Sequence, residues 1–136
     1  GGLVTLEAGS TVSGFRYYSA GIGTTEFVAD ASGVSLFTLE DLRLGGGVLE
    51  VDLTNYNIAN GTTLALFDYN FLNLSGSGIF DTITLTNGWT GTIDYAFDQG
   101  GGDLAVALTN IAVPEPSSYV LLGGLFALAA VMMRRR

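Results

Sequence analysis

The chain has 136 residues, with 13 Asp plus Glu against 5 Lys plus Arg, a formal net charge of −8, and no His or Cys. Without those two residue types there is no zinc finger, thiol nucleophile, disulfide scaffold or Ser-His-Asp triad, and no cofactor or metal is expected. The acidic balance also opposes a nucleic-acid partner, whose phosphates are gripped by Lys and Arg. Arg16 and Arg43 are the basic residues before Val113; set against 12 carboxylates, they leave that part at −10, while Arg134, Arg135 and Arg136 close the chain.

Charged residues make up 13% of the chain, about half the usual share, and there are 20 glycines, a profile of extracellular β-rich proteins. In chain order, Leu3 to Leu6 and Val34 to Leu39 alternate weakly between apolar and polar. After the turn signal Gly45-Gly46-Gly47 comes a strong alternation, with Leu49, Val51 and Leu53 on one face and Glu50 and Asp52 on the other, the period-two signature of a half-buried strand. Asn60-Gly61 precedes a weaker strand at Thr63 to Phe67, and Gly76-Ser77-Gly78 precedes another at Ile79 to Leu85. Asn87-Gly88 then leads to Thr92 to Phe97, with Ile93, Tyr95 and Phe97 inward. Gly100-Gly101-Gly102 leads to Leu104 to Leu108, with Leu104, Val106 and Leu108 inward. Short strands punctuated in this way predict a mainly β fold over residues 1–112, either a sandwich or the end of a β-solenoid.

An internal echo favours regularity. Gly45 to Asn55 and Gly100 to Asn110 are identical at eight of eleven places, and Gly1-Gly2-Leu3-Val4-Thr5-Leu6 is a partial third copy. Either these are solenoid repeats or two turn-plus-strand segments converged on one pattern. The opening has neither an initiator Met nor a basic region leading into an apolar stretch, so the chain reads as the C-terminal part of a longer protein.

The pattern changes at Val113. Val113-Pro114-Glu115-Pro116-Ser117-Ser118 reads as an extended linker, because each Pro lacks an N–H donor and pushes its predecessor out of the helical region. Next comes an uncharged run of Tyr119, Val120, Leu121, Leu122, Gly123, Gly124, Leu125, Phe126, Ala127, Leu128, Ala129, Ala130, Val131, Met132 and Met133. As a helix with its Ser-Ser extension it is roughly 22 to 26 Å long, a marginal transmembrane span that local thinning and snorkelling arginines complete. Arg134 to Arg136 hold the C terminus in the cytoplasm and leave the β part outside.

Val-Pro-Glu-Pro, an apolar helix and a terminal Arg cluster, in that order, closely resemble the PEP-CTERM sorting signal of Gram-negative, exopolysaccharide-producing bacteria. The resemblance covers about Val113 to Arg136. It implies export through the secretion machinery, a pause in the inner membrane by the C-terminal helix in contact with lipid, cleavage near Pro-Glu-Pro by an exosortase, and delivery to the cell surface or extracellular matrix. On that resemblance Val113, Pro114, Glu115 and Pro116 are the recognised motif, residues 119–133 the anchor and Arg134 to Arg136 the stop. The Gly-rich body also resembles, by composition alone, the strand segments of autotransporter-like and adhesin-like surface proteins.

Chemistry in the body is sparse, and a non-enzymatic protein is expected. Glu50 and Asp52 share a strand face about 7 Å apart, a spacing open to acid–base work, although a solvated face explains them too. Asp98-Gln99-Gly100-Gly101-Gly102-Asp103 reads as a turn, with calcium coordination as its functional alternative. Tyr17, Tyr18, Tyr56, Tyr69 and Trp89 are candidates for a sugar-stacking platform, with Trp89 expected to be exposed just after the Asn87-Gly88 turn. Hence the alternative function, a carbohydrate-binding module associated with exopolysaccharide.

Overall fold

The computed structural model describes residues 2–74 and 79–114, except for the side chains of residues 19–22, 73 and 74. The strands are β1 (Leu3–Glu7), β2 (Val12–Val28), β3 (Phe37–Asp52), β4 (Leu64–Leu74), β5 (Thr82–Leu85), β6 (Thr90–Asp98) and β7 (Leu104–Ala112), with short 3-10 turns at Ile58–Asn60 and Thr86–Gly88. Among the described residues there is no α-helix, and no helix is long and apolar enough to cross a membrane. The expected anchor helix, together with Glu115, Pro116 and Arg134 to Arg136, lies outside the described residues.

The pairing pattern is that of a parallel β-solenoid. β1, β2, β3 and β4 follow one another as parallel neighbours, and β5 lies parallel beside the second half of β3. Two walls result. Leu6, Phe27, Val51 and Leu85 stack along one, and Val12, Phe37 and Phe67 along the other, so one turn of the coil takes about 21 to 34 residues. Antiparallel pairing, which a sandwich of antiparallel sheets would use throughout, is confined to β4, β7 and β6 at the end of the stack.

Two corners let one continuous strand serve both walls. Within β3, Leu39 and Leu42 are both buried, at 3% and 0% exposure, although strict alternation would place them on opposite faces. Glu40 and Asp41 are the two consecutive residues between them that face outward, and the backbone turns there. Register sets Arg16 and Phe71 beside Asp41, so the same corner recurs on the neighbouring coils. The second corner is at Gly45-Gly46-Gly47. These residues are not a loop, as the turn signal implied, but lie within β3.

Gly46 has φ 112°, and a Cβ there would sit 2.6 Å from Asp81 Oδ2. Asp81 is held in place because the Gly47 N–H donates to its Oδ2 at 3.0 Å while its own N–H donates to the Gly47 carbonyl at 2.8 Å. Gly46→Ala is therefore expected to lower stability by about 1–3 kcal/mol, the cost of a strained backbone position, read as a shift in the urea midpoint.

The core lies between the walls. Phe67 is fully buried and meets Phe27 of the opposite wall edge to face at 5.2 Å, Phe37 of the next coil at 5.8 Å and Tyr17 at 5.9 Å. Leu49, Val51 and Leu53 are fully buried, in agreement with their alternation. The β7 expectation needs correction. Leu104 is 37% exposed, whereas Ala105 and Ala107 are as completely buried as Val106 and Leu108. Four consecutive residues without exposed surface mean that both faces of this strand are covered, so the periodicity of one half-buried face does not describe it.

The sequence echo is not the structural repeat. Val48–Val51 pairs in parallel within the coil stack, whereas Leu104–Leu108 is an antiparallel strand of the terminal hairpin. The partial copy at Gly2 to Leu6 does occupy an equivalent place, since Leu3 aligns with Thr24 and Thr24 with Val48.

Candidate functional site

The Val113-Pro114 segment begins where the β ladder ends. Ile111 is buried and its N–H donates to the Thr62 carbonyl at 3.0 Å, while Ala112 is still paired with Thr90. Beyond that point Val113 is 43% exposed. Pro114 removes a donor and ends the ladder for a chemical reason. It passes close to Gly88, where a Cβ would lie 3.6 Å from the Pro114 Cβ. The Val113-Pro114 segment therefore starts at the surface, immediately after the last paired residue among those described.

The carboxylates proposed from sequence have structural partners. Asp52 Oδ1 accepts the Thr54 N–H at 3.0 Å and the Thr86 hydroxyl at 3.2 Å. The Thr54 bonds lower its pKa most, and Thr86 adds to them. Glu50 points outward and sits in register beside Glu26 and Thr84. In the Asp98 to Asp103 segment, Gly100 N–H donates to Asp98 Oδ1 at 2.8 Å and Gln99 N–H to the Asp103 carbonyl at 2.8 Å. Gly100, Gly101 and Gly102 all have positive φ, so this is the hairpin turn joining β6 to β7. No group of three or more candidate metal ligands occurs among the described residues.

A different carboxylate pair, not visible in the sequence, is assembled by the fold. Asp68 on β4 and Asp103 at the base of the hairpin line one groove and their carboxyls interact, although 35 residues separate them. Burial pushes the Asp68 pKa up first, and the bond to Asp103 and the charge of Asp103 raise it further. The pair borders an open groove of about 370 Å³ lined also by Ser13, Phe15, Thr38, Glu40 and Asn70. Register explains the lining, because Ser13, Thr38 and Asp68 follow one another on adjacent strands. Asn70 Nδ2 donates to Glu40 Oε2 at 2.7 Å across the same outer surface.

The raised Asp68 pKa sets the sign of a pH effect. The folded chain keeps a proton that the unfolded chain has already released. The pair's contribution is thus fully present below the unfolded carboxyl pKa and is lost as pH rises through the folded one. Asp68→Asn removes this loss, so the variant is expected to match the parent near pH 3 and to melt higher at pH 7, as measured by parallel thermal scans.

The aromatic platform requires correction. Tyr56 and Tyr69 are both 6% exposed, and Tyr17 packs on Phe37 at 5.0 Å. Trp89 does not project from a hairpin. It follows the 3-10 turn Thr86–Gly88, lies partly buried against the core, and pairs with Tyr56 at 6.2 Å. Two tyrosines spend their hydroxyls internally: Tyr69 donates to the Tyr95 carbonyl at 2.7 Å and Tyr56 to the Gly61 carbonyl at 2.8 Å. Of the five aromatics proposed, only Tyr18, at 58%, is exposed. Alternation could not have revealed this, because Tyr56 and Trp89 lie outside the strands and the corner in β2 shifts the alternation at Tyr17 and Tyr18.

Comparison with known proteins identifies the tail. Residues 112–136 match the family model described as the PEP-CTERM protein-sorting motif. The matched region starts at Ala112, the last residue of β7. No curated protein and no solved structure matches the chain, so the compositional likeness to autotransporter-like strands finds no relative there.

Proposed function

We propose that this is a non-enzymatic surface or extracellular-matrix protein, a β-solenoid body carried outward and released by exosortase cleavage of its tail. The PEP-CTERM motif at residues 112–136 carries this reading. Its position supports it: among the described residues the last strand ends at Ala112, and Val113 and Pro114 leave the body exposed. A membrane-embedded protease can then reach the neck without unfolding the solenoid. The tail's C-terminal helix would hold the chain in the lipid bilayer during transit, with the secretion machinery supplying export.

The non-enzymatic part of the reading rests on how the body uses its carboxylates. Asp30, Asp52, Asp81 and Asp98 all accept backbone N–H groups in turns or corners. Charge supports an extracytoplasmic role as well. Loss of residues 117–136 would remove three arginines and leave a still more acidic body, which self-repulsion keeps soluble. The test is expression of the full-length chain in hosts with and without an exosortase, followed by mass spectrometry of the C terminus. A shortened C terminus in the first host alone is expected; identical termini in both would refute the reading.

A further inference from the structure

We infer that the first corner of the solenoid is a binding site for an extended, neutral polysaccharide. The large aromatic side chains exposed among the described residues are Phe15 at 71%, Phe71 at 66% and Tyr18 at 58%. All three lie at this one corner, on β2 and β4, although the sequence scatters them. Register places Phe71 beside Asp41, Asp41 beside Arg16, and Tyr18 beside Arg43. Exposed rings gathered at one place offer flat apolar faces of the kind that cover the C–H face of a sugar ring.

The spacing suits a polymer. Phe15 on β2 and Phe71 on β4 are separated by β3, so strand spacing puts them roughly 10 Å apart, about the length of two sugar rings in an extended glycan. Between and beside them stand hydrogen-bonding groups that match hydroxyls: Glu40, bonded to Asn70 at 2.7 Å, and the hydroxyls of Ser13 and Thr38 in the adjoining groove. Phe15 belongs to both surfaces, forming one wall of that 370 Å³ groove, a volume within the range of small-molecule sites.

Charge favours a neutral ligand over an anionic one, and polarity favours a glycan over a protein. Arg16 and Arg43 are the basic side chains of the described residues, and both are engaged by Asp41, at 2.9 and 3.2 Å. Arg16 also lies over the Phe15 ring, 6.0 Å from its centre. With Glu40 adjacent, two cations face two carboxylates and no net positive field remains to hold an anion. A protein interface is depleted in charge at its centre; here the rings are interleaved with charged and amide groups along the corner.

This inference does not depend on the sorting reading and is tested separately. Affinity electrophoresis of the full-length chain in mild detergent would use hydroxyethyl cellulose as the neutral probe, alginate as the anionic one, and a gel without glycan as reference. Retardation by hydroxyethyl cellulose is expected. Phe15→Ala and Phe71→Ala are each expected to weaken it several-fold and the double variant to abolish it, while Phe15→Trp and Phe71→Tyr retain it. Ile83→Ala, on the other wall, should leave it unchanged. Thermal melts check that each variant is folded. The inference is overturned if the parent is not retarded, if alginate alone retards it, or if the folded double variant still binds.

Discussion

Phe67→Ala is expected to destabilise the body by about 3–5 kcal/mol, the usual cost of emptying a buried aromatic site. That is a large part of the 5–15 kcal/mol that holds a typical domain together. The site has particular reason to fall at the upper end. Phe67 is fully buried and its ring touches four others: Tyr17, Phe27, Phe37 and Phe80, the last at 6.2 Å. It also joins three parts of the molecule, being in register with Phe37 of the coil stack and Val106 of the terminal hairpin while meeting Phe27 across the core. Rigid ladders on both sides keep the walls from collapsing into the space. Urea unfolding measures the loss as a lower midpoint with an unchanged slope. Phe71→Ala, four residues along the same strand but 66% exposed, serves as the control and is expected to stay within about 0.5 kcal/mol of the parent. Comparable losses for the two would contradict the inward and outward assignments of β4.

Replacing Pro114, Glu115 and Pro116 together by Ala is expected to abolish C-terminal processing, in an exosortase-containing host, without changing the stability of the body. The two readouts differ because the paired strand β7 ends at Ala112 and Pro114, the motif's described residue, is exposed beyond it. Among the described residues Ile111 is the last that is both buried and bonded across to another segment, through Thr62, and Val113 is already exposed. Pro114 is itself exposed where it passes Gly88, so its loss removes little buried surface. The triple variant should therefore keep the parent's melting temperature within a degree or two, consistent with a change of a few tenths of a kcal/mol, and should accumulate at full length in the membrane fraction. A cleaved triple variant would separate recognition from the Pro-Glu-Pro residues. A large drop in melting temperature would instead tie the motif to the fold.

Much of the local structure was legible because it depends on local rules. The alternation around Leu49, Val51 and Leu53 named buried residues correctly, and along β6 Ile93, Tyr95 and Phe97 are the half-buried positions, with Ile93 and Tyr95 packed against the core. Three consecutive glycines at 100–102 marked a true hairpin turn. The same tripeptide at 45–47 marked a corner inside a strand, and the difference is not local. It depends on Asp81, brought in from a later coil to occupy the space a Cβ would need. β2 was not anticipated at all. Its corner at Phe15 and Arg16 places two consecutive residues outward, and this breaks the period on which strand recognition relies.

The candidate sites divide in the same way. The tail was readable in full order from its residues, since Pro, an apolar run and an Arg cluster act through intrinsic chemistry that needs no neighbour. Trp89 and the buried or half-buried Tyr17, Tyr56 and Tyr69 were misplaced because residue type says how a ring can bind, not whether a core has claimed it. The exposed set, Phe15, Tyr18 and Phe71, and the carboxylate pair Asp68 and Asp103 became visible only with the strand register.

By itself the sequence determined the acidic, β-rich character of the body, the chemistries that His and Cys would have supplied and do not, and the sorting tail beyond Val113. Tertiary structure alone decided between sandwich and solenoid, because parallel and antiparallel strands share one period of alternation and differ only in their partners. It also decided which aromatics meet solvent. Stacking coils in register converts residues 25 to 30 positions apart into neighbours about 5 Å apart, and no reading along the chain contains that distance.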